Sequence, residues 1–352
     1  MKNGIVGFGL VGTGMAGGFH ARELSFVDGA KLVAVCSRNE ENVRRFADEY
    51  GVEQRATDYR DLLDNDAVEV VGVLTPTGSH REIVIAASEA GKHVLVEKPL
   101  ETTLAKADEM IQVCRENRTK LGVVFQMRFG LVGAKLTKLV ASGALGKIHL
   151  ADAIDKSSRT AAYYASAAWR GTQKLEGGGC LMTQSIHIVD LLQWIVGPVK
   201  SVTGRVATKR HKIEVEDTAA ALVSFDNGAM GVIESTTSVS PALKSRLEIH
   251  GENGSVVANA QYDKFLLWDV KDYPQEEVDP PSPLTDIDDP WAYPQTRHRV
   301  QLQDMTDAVR EDRDPMLTGE DARVSLAIVS AIYESSRTGR EIFLETLKPG
   351  SL

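Results

Sequence analysis

The chain has 352 residues, enough for two domains or three, each with a core that needs no disulfide or metal to stabilise it. With 43% hydrophobic and 25% charged residues and a mean hydropathy of -0.17, its composition is that of an ordinary globular protein, not of a fibrous, disordered or membrane protein. Its 40 basic and 49 acidic residues give a net charge of -9, which disfavours nucleic acid as a partner because nucleic-acid-binding proteins need a concentrated basic surface.

The first 125 residues predict a doubly wound α/β domain. Short β-branched runs alternate there with amphipathic stretches, the order expected of parallel strands joined by crossover helices. The predicted strands span residues 5–11, 31–36, 68–74, 93–96 and 121–125. The clearest predicted helices span residues 39–50 and 103–117.

Residues 126–352 predict a second domain of the α+β class, with a large, mostly antiparallel, open-faced sheet. Helices are expected over 132–142, 180–196, 301–311 and 319–336. Strands are expected over 147–156, 199–208, 217–225, 229–236, 246–250, 255–258 and 341–344. Hairpin turns at Asp226-Asn227-Gly228 and Glu252-Asn253-Gly254 make neighbouring strands antiparallel. A proline-rich, acidic loop is predicted over 273–294.

The cysteines and the apolar runs bear on the location of the protein. Cys36, Cys114 and Cys180 are far apart, a pattern typical of buried thiols in a reducing cytoplasm and incompatible with a cysteine zinc site. Glycines interrupt the first apolar stretch, so no signal peptide is expected, and no run of 18 apolar residues indicates a transmembrane helix. We therefore predict a cytoplasmic protein with no membrane association and no metal site.

Two overlapping Gly-x-Gly-x-x-Gly matches lie near the start of the chain, one beginning at Gly7 and the other at Gly12. The first would leave a very short strand and place two glycines inside the following helix, where they are destabilising. The second leaves a full strand and opens a helix, so Gly12, Gly14 and Gly17 are the better choice. Such glycines make a tight turn and let the backbone approach a pyrophosphate; the alternative is a structural turn. The cofactor contacts expected here are Gly12, Gly14, Met15 and Ala16.

The end of the second strand indicates which dinucleotide is bound. NAD enzymes carry Asp or Glu about 20 residues after the glycine motif, to bind the ribose 2′-hydroxyl. This chain has Ser37 and Arg38 there, and a hydroxyl beside a guanidinium suits a 2′-phosphate. NADP is therefore favoured over NAD. The alternative is an Arg38 that is solvated or stacks on adenine, with use of both cofactors.

Two further segments carry candidate chemistry. Lys98 lies in Glu97-Lys98-Pro99 at the predicted carboxyl end of the fourth strand, where open sheets bind ligands; the alternative is a surface ion pair. The helix over 180–196 is apolar nearly all round, yet Thr183, His187 and Asp190 fall on one stripe of it. A histidine there is usually a satisfied core residue, and Asp190 could orient it or bond the backbone.

Together these motifs resemble the Gfo/Idh/MocA family of NAD(P)-dependent oxidoreductases. The resemblance spans essentially the whole chain and rests on five ordered segments: Gly12-x-Gly14-x-x-Gly17-x-x-His20, Thr75-Pro76 with His80, Glu97-Lys98-Pro99, Trp169-Arg170-Gly171-Thr172, and Gly177 to Trp194. It implies a Rossmann domain (1–125) followed by a substrate-binding domain (126–352). The open sheet of the second domain commonly packs against another subunit, which implies a homodimer or homotetramer.

The resemblance also implies site residues. Lys98 and His187 match the family's catalytic lysine and histidine. The position four before that histidine is frequently Asp or Asn but is Thr183 here, which can bond a sugar hydroxyl but cannot act as a general base. Further implied cofactor contacts are Thr75, Pro76, His80, Glu97, Lys98 and Arg170. The implied substrate contacts are Lys98, Arg128, Thr183 and His187, and the aromatic rings of Tyr163 and Trp169 could stack on the face of a sugar.

Several of these positions have a simpler structural interpretation. Ser79-x-x-Glu82 matches a capping box, so His80 could only belong to a helix start. Arg128 and Arg170 could form interdomain ion pairs. The aromatic residues around Trp169 could pack in a core instead of stacking on a sugar.

The activity implied is hydride transfer between nicotinamide and a secondary alcohol or ketone of a sugar, sugar acid, nucleotide sugar or polyol. His187 would exchange the hydroxyl proton and Lys98 would polarise the oxygen. Two alternatives stay open: a catalytically silent NADP-binding regulator, and a diol or imine reductase on the same scaffold.

Overall fold

The computed structural model describes residues 4–243, 245–261, 263–274 and 296–347. These form two compact units, one of residues up to 126 together with 296–323, and one of residues from 127 together with 324–347. The predicted domains, 1–125 and 126–352, differ from these units mainly in the segment 296–323, which belongs with the first unit. The predicted loop over 273–294 lies outside the described residues from position 275 onward.

The first unit has a six-stranded parallel sheet with the order β3-β2-β1-β4-β5-β6, which confirms the doubly wound prediction. Its strands are β1 (Val6–Val11), β2 (Ala30–Cys36), β3 (Gln54–Ala56), β4 (Val70–Val73), β5 (His93–Glu97) and β6 (Leu121–Val124). Its helices are α1 (Met15–Leu24), α2 (Glu40–Tyr50), α3 (Tyr59–Leu63), α4 (His80–Glu89), α5 (Leu104–Glu116) and α10 (Thr296–Glu311).

The core of the first unit explains these elements. All six residues of β1 are buried, as expected of a central parallel strand covered on both faces. Helix α10 packs on α1, and its Leu302 and Met305 complete the hydrophobic core around β1. The short β3 and α3 were not predicted, because three and five residues are too few to show a periodicity.

The second unit has an eight-stranded sheet with the order β13-β12-β11-β7-β10-β9-β8-β14, antiparallel except for the β7–β10 pair. Its strands are β7 (Ile148–Lys156), β8 (Val199–Ala207), β9 (Thr218–Phe225), β10 (Met230–Thr236), β11 (Arg246–Gly251), β12 (Gly254–Asn259), β13 (Lys264–Val270) and β14 (Ile342–Phe343). Its helices are α6 (Leu131–Ala141), α7 (Ala161–Ala165), α8 (Gln173–Glu176) and α9 (Ile186–Val196), with α11 (Gly319–Thr338) divided between the units after Arg323.

One face of this sheet is covered and the other is open. Helix α9 packs on β7, whose Ala151 and Ala153 are fully buried. On the opposite face Leu150, Leu222 and Met230 are 44%, 64% and 60% exposed, which confirms the open-faced sheet. Strand β13 was not predicted, because most of its residues are partly or fully exposed and show no regular alternation.

The three cysteines are buried and form no disulfide. Burial, with the charges of Asp58 and Asp61, raises the pKa of Cys36 to about 11, and burial also raises those of Cys114 and Cys180. Such thiols are protonated and unreactive at neutral pH. Within the described residues, no helix combines the length and the apolar character needed to cross a membrane.

Candidate active site

The glycine turn after β1 has the geometry that a dinucleotide needs. Gly12 has φ +119°, and a Cβ there would lie 2.5 Å from the Leu74 carbonyl oxygen. A Cβ at Gly17 would lie 2.4 Å from the Gly12 carbonyl oxygen, so this glycine lets α1 pack closely on the turn. Gly14 precedes α1 without a side-chain cap and has open space where its Cβ would be. The residues present therefore fit a pyrophosphate at the amino end of α1, where Met15 is exposed.

The glycines of the rejected match have a different role. Gly7 and Gly9 lie inside β1, and a Cβ at Gly7 would lie 1.8 Å from the carbonyl oxygen of Ala67. A Cβ at Gly9 would lie 2.7 Å from the side chain of Leu62. Both glycines allow close packing of β1. The turn itself is formed by the second match, which begins at Gly12.

Ser37 and Arg38 lie next to the glycine turn. The Gly12 N–H donates to the carbonyl of Cys36, the last residue of β2, at 2.9 Å. Arg38 is exposed, and Asn39 accepts a hydrogen bond from the Asn42 N–H as the N-cap of α2. A guanidinium at this position can therefore reach an anion beside the turn.

His80 connects two loops at the carboxyl edge of the sheet. It is 1% exposed, with Nε2 2.9 Å from the Thr75 carbonyl oxygen and Nδ1 3.2 Å from that of Pro99. Burial lowers its pKa despite these hydrogen bonds. The capping-box interpretation is wrong, because Ser79 Oγ donates to Thr75 Oγ1 and the Pro76 carbonyl and gives α4 no cap. The structure thus places His80 beneath the Thr75-Pro76 loop as a link to the loop that follows Lys98.

Glu97 fixes the backbone at Lys98. One carboxylate oxygen accepts the Lys98 N–H at 3.2 Å, and the other lies 3.3 Å from His20 Nε2. Burial raises the pKa of Glu97, but the His20 hydrogen bond and the charges of His20 and Lys98 outweigh it and lower the pKa overall. The ionised carboxylate therefore holds the half-buried Lys98 at the end of β5.

His298, on α10, is a member of this group that the sequence did not indicate. Its ring lies 5.7 Å from the ring of His20. Burial, and next the charge of His20, lower its pKa to about 3. The imidazole of His298 is therefore neutral in the folded protein at ordinary pH.

This shift predicts a dependence of stability on pH. Between pH 6.5 and 3 the unfolded chain protonates His298 and the folded one does not, so stability falls as the pH falls. His298→Gln should lower by one the number of protons that the unfolded chain binds in excess of the folded one. The slope of unfolding free energy against pH should then fall by about 1.4 kcal/mol per pH unit. Urea unfolding from pH 7 to pH 4 measures the slope, with the exposed His149→Gln as control. Equal slopes in wild type and His298→Gln would contradict the assignment.

In the second unit, a buried carboxylate holds the segment that carries His187. Glu216 accepts the N–H groups of Gly179 at 2.7 Å and Leu181 at 3.0 Å and the hydroxyl of Tyr333 at 2.9 Å. Burial raises its pKa. A Cβ at Gly179 would lie 1.6 Å from the Glu216 carbonyl oxygen, which explains the glycine run before the helix. Neither Glu216 nor Tyr333 carried a recognisable motif.

The predicted helix over 180–196 begins with a π-helical turn, Leu181–Ser185, before α9. Thr183 lies in this turn and its hydroxyl donates to the Gly179 carbonyl at 2.8 Å, so its oxygen can still accept a hydrogen bond. His187 is half-buried in the first turn of α9. Single π-turns inside helices are frequent at functional sites.

Arg128 and Asp190 form a buried ion pair within the second unit. Two guanidinium nitrogens of Arg128 donate to the two carboxylate oxygens of Asp190, both at 2.7 Å, and Ser325 Oγ donates to Asp190 at 2.7 Å. The guanidinium also lies 5.1 Å from the ring of Trp194. Asp190 therefore bonds Arg128 and Ser325, and the ion pair of Arg128 lies within one unit and supports α9.

The aromatic residues before the glycine run form a partly exposed cluster. The Arg170 guanidinium lies 4.2 Å from the ring centroid of Tyr163 and 4.4 Å from that of Trp169, and it donates to the Tyr163 hydroxyl at 2.7 Å. Tyr163 and Tyr164 pack edge to face at 5.2 Å. These rings are half-buried at the surface of the unit, and the Arg170 guanidinium already lies over the rings of Tyr163 and Trp169.

Two groups of described side chains have ligand atoms close enough together to hold a cation, within 4.8 Å of one another. One is His20, Glu97 and His298, and the other is Asp152, Glu248 and His250. We assign no metal to either group.

Comparison with known proteins places both units in one family. The model of the oxidoreductase family with an NAD-binding Rossmann fold matches residues 6–125, and that of the GFO/IDH/MocA C-terminal domain matches residues 134–257. Myo-inositol 2-dehydrogenase of Thermotoga maritima is 29% identical over 98% of this chain and 99% of its own. The scyllo-inositol 2-dehydrogenase (NADP(+)) IolW of Bacillus subtilis is 27% identical, with 98% and 96% covered.

Solved structures agree with the sequence comparisons. The WlbA dehydrogenase from Bordetella pertussis, determined in complex with NADH and UDP-GlcNAcA, is 30% identical. It superposes with a TM-score of 0.86 and covers 96% of this chain and 98% of its own. The likeness therefore spans the glycine turn, the Lys98 loop and the segment that carries His187.

Proposed function

The chain belongs to the Gfo/Idh/MocA family of NAD(P)-dependent oxidoreductases, and from this premise we propose that Lys98 and His187 catalyse the oxidation of a carbohydrate CH–OH group with NADP. One observation carries the proposal. The glycine turn follows β1 and Lys98 follows β5, so both lie at the carboxyl edge of one parallel sheet, where such sheets bind ligands.

The cofactor is proposed to bind along this edge. Gly12, Gly14, Met15 and Ala16 would receive the pyrophosphate, and Ser37 with Arg38 the 2′-phosphate. Further contacts are proposed for Thr75, Pro76, Glu97, Lys98 and Arg170, while His80 positions the Thr75 carbonyl from below. When bound, the nicotinamide ring accepts or supplies the hydride. Both cofactors occur among the similar proteins, since the IolW relative is named for NADP(+) and the WlbA structure contains NADH, so the proposed preference depends on Ser37 and Arg38.

Lys98 and His187 are proposed to control the substrate oxygen. The imidazole of His187 takes the hydroxyl proton as the C–H hydrogen leaves, and the Lys98 ammonium stabilises the developing negative charge on that oxygen. In reduction the same groups act in reverse. Thr183 cannot replace the histidine, because its hydroxyl donates to Gly179 and titrates far above neutral pH. Thr183, Tyr163 and Trp169 are proposed to bind substrate hydroxyls and ring faces, and Arg128 to support α9.

The open face of the eight-stranded sheet supports a proposal about assembly. Leu150, Leu222 and Met230 form an exposed apolar surface there, and burial of such a surface favours association. We propose a homodimer or homotetramer formed through this sheet. A cytoplasmic location is likewise proposed from the composition and the cysteines alone.

The proposed function predicts reduction of NADP by a carbohydrate. We expect an increase in absorbance at 340 nm when the protein and NADP are mixed with members of a panel of inositols, aldoses, sugar acids and nucleotide sugars. A thermal shift with NADPH but no turnover on any compound would favour a silent regulator. Turnover only of simple diols tested with NADP, or only of imines tested with NADPH, would favour the diol or imine reductase.

A further inference from the structure

Within the described residues, Arg159, which follows β7, has no carboxylate within ion-pair distance. Its guanidinium donates to Gln184 Oε1 at 2.6 Å and to the Ser158 carbonyl at 3.4 Å. Its Nε is buried without a hydrogen-bond partner in the part of the chain that the structure describes. A buried donor of this kind is costly unless something else accepts its hydrogen bond.

Gln184 places this guanidinium beside the proposed catalytic histidine. It lies in the π-helical turn between Thr183 and His187, three residues before the histidine. Helix residues three or four apart are neighbours on one surface. Gln184 and His187 therefore lie on neighbouring parts of the helix surface, and the hydrogen bond from Arg159 to Gln184 brings the guanidinium towards that surface.

A second arginine reinforces the positive charge. The guanidinium carbons of Arg159 and Arg170 lie 5.0 Å and 4.2 Å from the ring centroid of Tyr163. Over residues 127–243, 245–261, 263–274 and 324–347, neither arginine lies within ion-pair distance of a carboxylate. The ring stabilises both cations but neutralises neither.

The basic segment Lys209-Arg210-His211-Lys212 packs next to Arg159. His211 Nε2 lies 3.0 Å from the Arg159 carbonyl oxygen, and the His211 ring lies 4.7 Å from that of Tyr164. Lys209, Arg210 and Lys212 are exposed and, among the described residues, have no acidic partner. The segment thus adds three cations to the surface around Arg159.

Asp217, a buried acid beneath this segment, is already occupied by hydrogen bonds from it. Asp217 accepts the N–H groups of Lys209, Arg210 and His211 at 2.8 to 2.9 Å, and His211 Nδ1 lies 3.1 Å away. Burial raises its pKa, but these hydrogen bonds outweigh burial and lower the pKa overall. Asp217 holds the shape of the basic segment, while Glu214, which accepts the Gln173 N–H, is the exposed acid nearest in sequence.

We propose that Arg159 and the basic segment 209–212 form an anion subsite that holds a carboxylate or a phosphate of the substrate beside His187. A guanidinium forks two hydrogen bonds onto either group, and the exposed cations of residues 209–212 attract an anion but not a neutral polyol. The inference rests on the proposed function and narrows its substrate class to anionic sugars, either sugar acids or sugar phosphates including nucleotide sugars.

The test compares anionic and neutral sugars on wild type and Arg159→Gln. The anionic probes are D-glucuronate, D-glucose 6-phosphate and UDP-glucuronate, and the neutral probes are D-glucose and myo-inositol. Wild type should favour at least one anionic probe over the neutral ones. Arg159→Gln should raise KM for that probe about 10- to 100-fold, the cost of a lost charged hydrogen bond, with kcat within about threefold. Neutral sugars should be unaffected, and Arg159→Lys should restore part of the affinity.

Controls separate the possible results. Lys147→Gln removes one exposed charge just before β7 and should leave KM and kcat unchanged for all probes. Glucuronate as the preferred probe identifies a carboxylate and glucose 6-phosphate identifies a phosphate, whereas UDP-glucuronate carries both groups and supports an anion subsite of either kind. A preference of wild type for neutral sugars overturns the subsite but leaves the dehydrogenase function intact. An equal rise in KM for anionic and neutral sugars in Arg159→Gln has the same meaning. If no sugar is turned over, the proposed function fails. Calorimetry with UDP-glucuronate then tests the subsite alone. The subsite is overturned if wild type does not bind this probe, or if wild type and Arg159→Gln bind it equally.

Discussion

Lys98→Ala and His187→Ala are each expected to lower kcat by at least about 100-fold, the usual scale of general acid–base catalysis, while NADPH still binds. Lys98→Ala removes the cation that stabilises charge on the substrate oxygen, and His187→Ala removes the group that takes its proton. Steady-state kinetics at 340 nm with a turned-over sugar measure the loss, and quenching of protein fluorescence by NADPH measures cofactor binding.

Two matched variants control for general damage. Lys92, whose Nζ donates to the Asn65 carbonyl, and the exposed His149 have no proposed role in the site. Lys92→Ala and His149→Ala should keep kcat within about twofold, on the scale of surface substitutions. A near-normal rate in either Lys98→Ala or His187→Ala would remove that residue from the mechanism. The double variant should lose much less than the product of the single losses if both groups act on one oxygen.

Ser37→Asp is expected to reverse the cofactor preference. A carboxylate at the end of β2 repels a 2′-phosphate and accepts a hydrogen bond from a ribose 2′-hydroxyl. We expect kcat/KM with NADP to fall about 100-fold, the scale of a lost charged contact plus repulsion, and the value with NAD to be maintained or to rise. Arg38→Gln should weaken the binding of NADP about 10-fold and leave the binding of NAD unchanged.

Direct binding gives a readout besides activity. Fluorescence titration with NADPH and NADH yields both dissociation constants for each variant, and Arg118→Gln, exposed after α5, serves as the control. If Arg38→Gln weakens both cofactors equally, Arg38 contacts something other than the 2′-phosphate. If Ser37→Asp keeps its affinity for NADPH, the end of β2 does not select the cofactor.

The sequence predicted those parts of the site that are formed by one continuous stretch of residues. Gly12 and Gly17 could be chosen over the competing match because the strand before them and the helix after them are contiguous in sequence. The ion pair of Arg128 with Asp190, by contrast, joins residues 62 positions apart. Glu216, Tyr333 and His298 likewise reach their partners through the tertiary fold, and no spacing rule encodes such contacts.

The capping box at Ser79 shows a different limit. Its residues match the pattern, but the Ser79 hydroxyl donates to Thr75 and Pro76 in place of capping α4. A motif of this kind states which hydrogen bonds are available, and competing partners in the fold decide which of them form. Asp190 is a second example, because Arg128 and Ser325 donate hydrogen bonds to its carboxylate.

The position of α10 in the chain has a consequence for biosynthesis. Leu302 and Met305 belong to the core around β1, yet the ribosome reaches them only after all strands of the second unit except β14 have been made. Until then the surface of α1 that they cover is exposed to solvent or to chaperones. The hydrophobic core of residues 1–126 is therefore completed late in synthesis, although domains commonly fold in the order in which they are translated.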